Sequence, residues 1–153
     1  MDLQALHDAV DAFFKEEEWN YEYVNERLLR FGMKGENLDV DAHMVLDEED
    51  RELVMYSEFP VKVPPEKRGV IAELLTRINY VLRHGNFEMS FDEGDLYFRT
   101  GLDAADAEVT PTLVRNVVFR NFWMMDRYVP TIMSVLYGGI SPKVVLEPSE
   151  TMS

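Results

Sequence analysis

Apolar residues recur at helical spacing in three stretches of the chain and alternate with polar ones in the stretches between. In the first, Leu3, Leu6, Val10, Phe13 and Phe14 form a stripe that predicts a helix over 2–18, with Asp2 as its cap. Glu16-Glu17-Glu18 opposes the dipole at the far end, so the helix should stop early. Trp19-Asn20-Tyr21 follows as an aromatic lid on the core. In the second stretch Ile71, Leu74, Leu75, Ile78, Val81 and Leu82 share one face, which predicts a helix from Pro65 to His84. Pro65 suits the first turn, Arg83 and His84 suit the dipole, and Gly85 can take the left-handed turn that ends it. The third helix opens on Thr110 as cap and Pro111 at the first position, and runs to about Tyr137 before Gly138-Gly139. Pro130 lies inside it, where a kink or break costs up to ~3 kcal/mol unless packing offsets it.

The period changes to two between the helices. From Tyr23 to Val63 three strands form a meander: Leu29, Phe31 and Met33 in the first, Leu38 to Leu46 in the second, Leu53 to Phe59 in the third. Met33 to Asn37 and Asp47 to Asp50 are the turns, and Pro60, Pro64 and Pro65 stop the sheet. After the central helix, Phe87, Met89 and Phe91 alternate, Asp92-Glu93-Gly94-Asp95 turns, and Leu96 to Leu102 returns as a hairpin. Asp103 to Glu108 links it to the last helix, and Ile140 to Ser153 reads as a tail in which Val144-Val145-Leu146 can dock as a short arm. The order α-β-β-β-α-β-β-α predicts an α+β fold, an antiparallel sheet with helices packed on it.

Composition narrows the function classes. The 153 residues suit one domain, and 46% apolar content is enough for a core. Asp plus Glu number 29 against 15 Lys plus Arg, a net charge of −14 that repels nucleic-acid phosphates and anionic lipid. Cysteine is absent, which removes disulfides, thiolate chemistry and cysteine zinc sites. With no secretory leader visible at Met1-Asp2-Leu3-Gln4 and no apolar run near the roughly 20 residues of a membrane span, a cytoplasmic protein is expected.

Catalytic and metal motifs are scarce. Asp39, Asp41 and His43 alternate on one strand face and are all metal-ligand types, yet a solvated strand in an acidic protein is the better reading, and no metal is expected. The turn Asp47 to Asp50 lacks the spacing and glycine of a calcium loop. Gly32-Met33-Lys34-Gly35 fits a bare G-x-x-G but lies between strands in an acidic chain. No nucleophile elbow, P-loop or dinucleotide glycine pattern occurs, and His7, His43 and His84 are scattered.

The last helix is more informative. Leu113, Val114, Val117, Val118, Phe122, Met125, Val129, Ile132 and Leu136 make one stripe, and Phe119, Trp123, Met124, Met133 and Tyr137 spill beyond it. One packed face does not need that width. Part of the set belongs to the core; the rest offers adaptable contacts, and Phe119, Phe122, Trp123, Met124 and Tyr137 are the expected protein-binding residues.

Several local strings and the order of elements resemble the YbjN family of bacterial sensory transduction regulators. They are Glu26-Arg27-Leu28-Leu29-Arg30-Phe31 entering the sheet, the central helix ending in Asn79, the Phe87-to-Leu102 hairpin, and Asp126 with Pro130. The resemblance covers roughly residues 1–140, leaving 141–153 as a C-terminal tail. It implies a fold similar to the class I chaperones of type III secretion, which are small acidic dimers that hold extended segments of an effector. The expectation is a non-enzymatic protein-binding or regulatory module, a homodimer with an unknown protein partner and no cofactor. The alternative is a small-molecule-binding protein or enzyme with a pocket between the sheet and the last helix, where Arg99, Arg120 and Asp126 would converge.

Overall fold

The computed structural model describes residues 4–150, with side chains for residues 4–147. Asp2 and Leu3, expected as the first cap and the first stripe residue, lie outside the described residues. Helix α1 spans Ala5–Glu16 and buries Leu6, Ala9, Val10, Phe13 and Phe14. Its end is a left-handed turn built on Glu18 (φ 57°). The Glu18 N–H donates to the Lys15 carbonyl, and the Trp19 N–H to that of Phe14 at 3.0 Å, the paired bonds of a Schellman stop. Trp19 then packs edge-on against Phe13, as a lid should.

Six strands follow in one antiparallel sheet. They are β1 (Tyr21–Asn25), β2 (Leu28–Lys34), β3 (Asp39–Asp47), β4 (Glu52–Glu58), β5 (Asn86–Met89) and β6 (Leu96–Asp103), in the order β1-β2-β3-β4-β6-β5. The sequence pattern yields three strands before the central helix; the structure has four. The extra one, β1, is joined to β2 by a turn so tight that the Arg27 N–H is accepted by the Asn25 side chain at 2.8 Å. Tyr21 stacks on Phe14 with centroids 4.7 Å apart, and the Tyr23 hydroxyl donates to Asp11 at 2.9 Å, so β1 is fixed to α1 from two points.

Register assigns the faces. Phe31, Ala42, Ser57, Phe98 and Phe87 pair in one row across β2, β3, β4, β6 and β5, and all are buried. Arg30, His43, Tyr56, Arg99 and Asn86 pair in the adjacent row and point the other way. The helices cover the first face; the second is open.

A 3-10 turn at Pro65–Lys67 leads into α2 (Arg68–Val81), which buries Ile71, Leu74, Leu75 and Ile78. Near its end the Asn79 side chain accepts from the Phe87 N–H at 2.8 Å and donates to the Phe87 carbonyl at 2.9 Å. One amide thus substitutes for a neighbouring strand and blunts the edge at β5. Gly85 turns the chain with φ 78°; a Cβ there would strike the Phe98 ring and the Arg99 carbonyl.

Helix α3 (Pro111–Leu136) is capped by Thr110, whose side chain accepts from the Leu113 N–H. Pro130 does not break it. A proline at this position cannot donate to the carbonyl four residues earlier. That carbonyl belongs to Asp126, and the Asn37 side-chain amide donates to it instead, at 3.0 Å. The chain ends in α4 (Pro142–Glu150), where the sequence reads as a tail. Ser141 accepts from the Val144 N–H and Pro142 occupies the first position, which makes Pro142 a helix start rather than a breaker. Leu146 is buried, so the expected docking arm is helical. No helix among the described residues is long and apolar enough to cross a membrane.

Candidate functional site

Helix α3 touches α1, α2, α4 and strands β3, β4 and β6, and this many neighbours absorb most of its apolar width. A polar cluster fixes its height on the sheet. Asn121, fully buried, donates to the carbonyls of Met55 and Phe98 and to the Thr100 hydroxyl, each at 3.0 Å, and accepts from Ser57. Thr100 donates to the Val117 carbonyl at 3.0 Å. Every side-chain group in this cluster finds a partner, as burial requires.

The five residues expected to bind a partner fall in different places. Phe122 is fully buried, edge-on to Phe31, and belongs to the core rather than to any surface. Phe119 is half-buried between Trp19 (5.5 Å) and Trp123 (6.2 Å). Met124 also packs partly against the core. Trp123 is 62% exposed and Tyr137 69% exposed. Fourteen residues separate these last two, about 21 Å along a helix, so they do not form one patch.

The groups expected to converge in a pocket do not. Arg99 sits on the open sheet face, 3.5 Å from Glu88, because strand alternation turns it away from α3. Asp126 faces the β2–β3 turn, where Oδ1 accepts from the N–H groups of Asn37 (2.9 Å) and Leu38 (3.2 Å) and Oδ2 from that of Glu36 (3.2 Å). Gly35 makes this approach possible, since a Cβ would overlap the carboxylate. Of the three, only Arg120 lines a cleft beside α3. Its volume is about 620 Å³, and Arg83, His84, Arg115, Phe119 and Trp123 line it too. Sequence reasoning did not group Arg83 and His84 with Arg115 and Arg120, since the two pairs lie on segments remote in the chain.

Asp39, Asp41 and His43 share a strand face, but no three potential ligands come together to hold a metal among the described residues. His43 instead stacks on Tyr56 at 5.0 Å, with Tyr97 edge-on at 6.0 Å. Burial holds its pKa below the usual histidine value, against the pull of Glu58. His7 is the opposite case. Burial disfavours its charge, yet Nδ1 lies 2.7 Å from the Glu48 carboxylate and Nε2 lies 2.6 Å from the Glu26 carbonyl, and the net shift is upward. Both partners are acceptors, so only the doubly protonated ring satisfies both. This pair ties the start of α1 to the β1–β2 and β3–β4 turns and is structural.

The arrangement defines a class: a one-sided six-stranded antiparallel sheet under helices, the fold of type III secretion chaperones. The chain is similar to the ExsC–ExsE complex (TM-score 0.61, 13% identity, 86% of this chain and 97% of that one). It is similar to YbjN of E. coli (0.60, 16%, 84% and 91%). It is also similar to the Yersinia pestis type III secretion chaperone SycH, solved with a fragment of YscM2 (0.50, 13%, 82% and 97%). At such identities the likeness establishes the fold. No curated protein matches in sequence. The model of the YbjN family, described as "Putative bacterial sensory transduction regulator", matches residues 6–133. The chain belongs to the YbjN family.

Proposed function

We propose that this protein is a non-enzymatic protein-binding or regulatory module that acts as a homodimer in the cytoplasm and holds a segment of another protein. The observation that carries the reading is Trp123, a large aromatic left 62% exposed on α3, where Phe122 and Tyr128 are buried and Phe119 is half-buried. Burying such a side chain against a partner contributes about 1.5–3 kcal/mol, and exposed Trp is enriched among binding hot spots. The fold supports the reading, since structures sharing it include SycH with a YscM2 fragment and the HopA1–SchA chaperone–effector complex. Residues 1–140 form the binding domain in this reading, and 141–153 its C-terminal extension.

Affinity capture from the source cell with the wild-type chain and with Trp123→Ala tests it. A defined protein should co-purify with the first and be lost from the second, while both variants keep the same melting temperature. Equal recovery on both would remove Trp123 from the reading. Sedimentation of the pure chain tests the dimer: a species of 17.8 kDa at all concentrations refutes it.

A further inference from the structure

We infer that the cleft between β6 and α3 is a binding site for an acidic polypeptide segment carrying an apolar or aromatic anchor. The inference rests on the protein-binding reading and specifies the partner's chemistry. The cleft exists because β5 is short. Its first residue, Asn86, pairs with Arg99, so beyond Arg99 the last stretch of β6 has no strand on its outer side among the described residues. Gly85 turns the chain away there, which places Arg83 and His84 on the rim opposite α3. Across the gap, α3 presents Arg115, Phe119, Arg120 and Trp123.

The charge of this cleft runs against the rest of the molecule. Acidic residues outnumber basic ones 29 to 15 in the chain, yet among the described residues no carboxylate lines the cleft, while three arginines and a histidine do. Most arginines elsewhere have a fixed partner: Arg27 meets Asp47, Arg77 meets Glu73, and Arg68 donates to the carbonyls of Val63, Phe91 and Asp92. In the cleft, Arg115 lies over the Phe119 ring at 4.8 Å and reaches Glu17 only at 4.0 Å. Arg83 and Arg120 have no hydrogen bond or ion pair among the described residues. Guanidinium forks with free donors suit carboxylates, and the exposed Trp123 indole beside half-buried Phe119 suits an apolar group between them.

Length favours a peptide over a small anion. The wall from Leu113 to Trp123 spans ten helical rises, about 15 Å. An extended chain rises about 3.3 Å per residue, so four to five residues fit along it.

The test titrates the ¹⁵N-labelled full chain with a blocked pentapeptide, Phe flanked by two Glu on each side, and with its counterpart in which Lys replaces Glu. The Glu peptide should shift the amides of residues 83–85 and 113–123, and the Lys peptide should not. Affinity should fall at least tenfold in the double variant Arg83→Glu/Arg120→Glu, whose spectrum outside the cleft should match the wild type. Absence of shifts in the cleft, equal binding of the Lys peptide, unchanged affinity in the double variant, or the same shifts from inorganic phosphate alone would each overturn the inference. Should the double variant not fold, the comparison of the two peptides on the wild-type chain decides the matter. Failure here with successful Trp123-dependent capture would leave the protein-binding reading standing and remove only the acidic chemistry.

Discussion

Replacing Asp126 by Ala should loosen the β2–β3 turn from the last helix and lower stability measurably. The carboxylate accepts three main-chain N–H groups, from Glu36, Asn37 and Leu38. A hydrogen bond to a charged acceptor contributes about 1.5–3 kcal/mol where water cannot compete and a fraction of that where it can. Glu36 and Asn37 are exposed and Leu38 is half-buried, so only the Leu38 bond counts nearly in full. The expected loss is therefore about 2.5–4 kcal/mol, or about 5–15 °C in Tm for a chain of this size. Urea denaturation followed by circular dichroism measures it. A loss under about 0.5 kcal/mol, the level of an ordinary surface substitution, would refute the anchoring role. The neighbouring proline sharpens the test. Pro130→Ala restores a helical N–H, a change with a nominal gain of up to ~3 kcal/mol. The Asp126 carbonyl already accepts from Asn37. The gain should thus be small in the wild type and clearly larger in an Asn37→Ala background; equal gains in both would show that Asn37 does not accommodate the proline.

Other outcomes follow from the same geometry. Asn121→Leu removes the acceptor of the buried Ser57 hydroxyl and the donor to the Met55 and Phe98 carbonyls, while Thr100 keeps its bond to Val117, and should cost roughly 2–4 kcal/mol by denaturant titration; a neutral result would mean that the cluster adds nothing to stability. Glu18→Gly relieves a left-handed φ at a Schellman stop and should stabilise by about 0.5–1 kcal/mol in a thermal melt. The folded-state pKa of His7 is raised, so its contribution is fully present below the unfolded value near 6.5 and is lost as pH rises through the folded one. His7→Ala should accordingly be more destabilising at pH 5.5 than at pH 8.5, and a pH-independent difference would refute the charged pair.

The main elements were legible because their hydrophobic period is strong and their caps are explicit. Thr110-Pro111 and Gly139 act as the sequence predicts. Gly85 does take a left-handed φ, but α2 has already ended at Val81 with Leu82 extended, so Arg83 and His84 lie beyond the helix rather than in its last turn. Strand β1 was hidden because Asn25-Glu26-Arg27 is a shorter turn than pattern reading separates, although Tyr21 and Tyr23 do alternate. Helix α4 was hidden by Pro142, whose meaning depends on the Ser141 cap. Periodicity separates Phe122, in the main stripe, from Trp123 beyond it, but it does not say how much of the residues beyond the stripe is covered; Phe122 is sealed by Phe31 and Trp19 while Trp123 stays out. Asn121 reads as a polar interruption of the stripe, and its role emerges only when β4 and β6 are adjacent. The cleft was least legible, because Arg83 and Arg120 are brought together by the shortness of β5, a property of neither segment alone.

The Asn121 cluster carries a mechanical consequence. One side chain gripping β4 and β6 together leaves α3 no freedom to slide a turn along the sheet without stranding several polar atoms at once. Phe119, Arg120 and Trp123 therefore ride on a wall that cannot ratchet. Whatever enters beside them meets a preset gap, and the adjustment on binding must come from the arginine side chains and the visiting segment rather than from the helix.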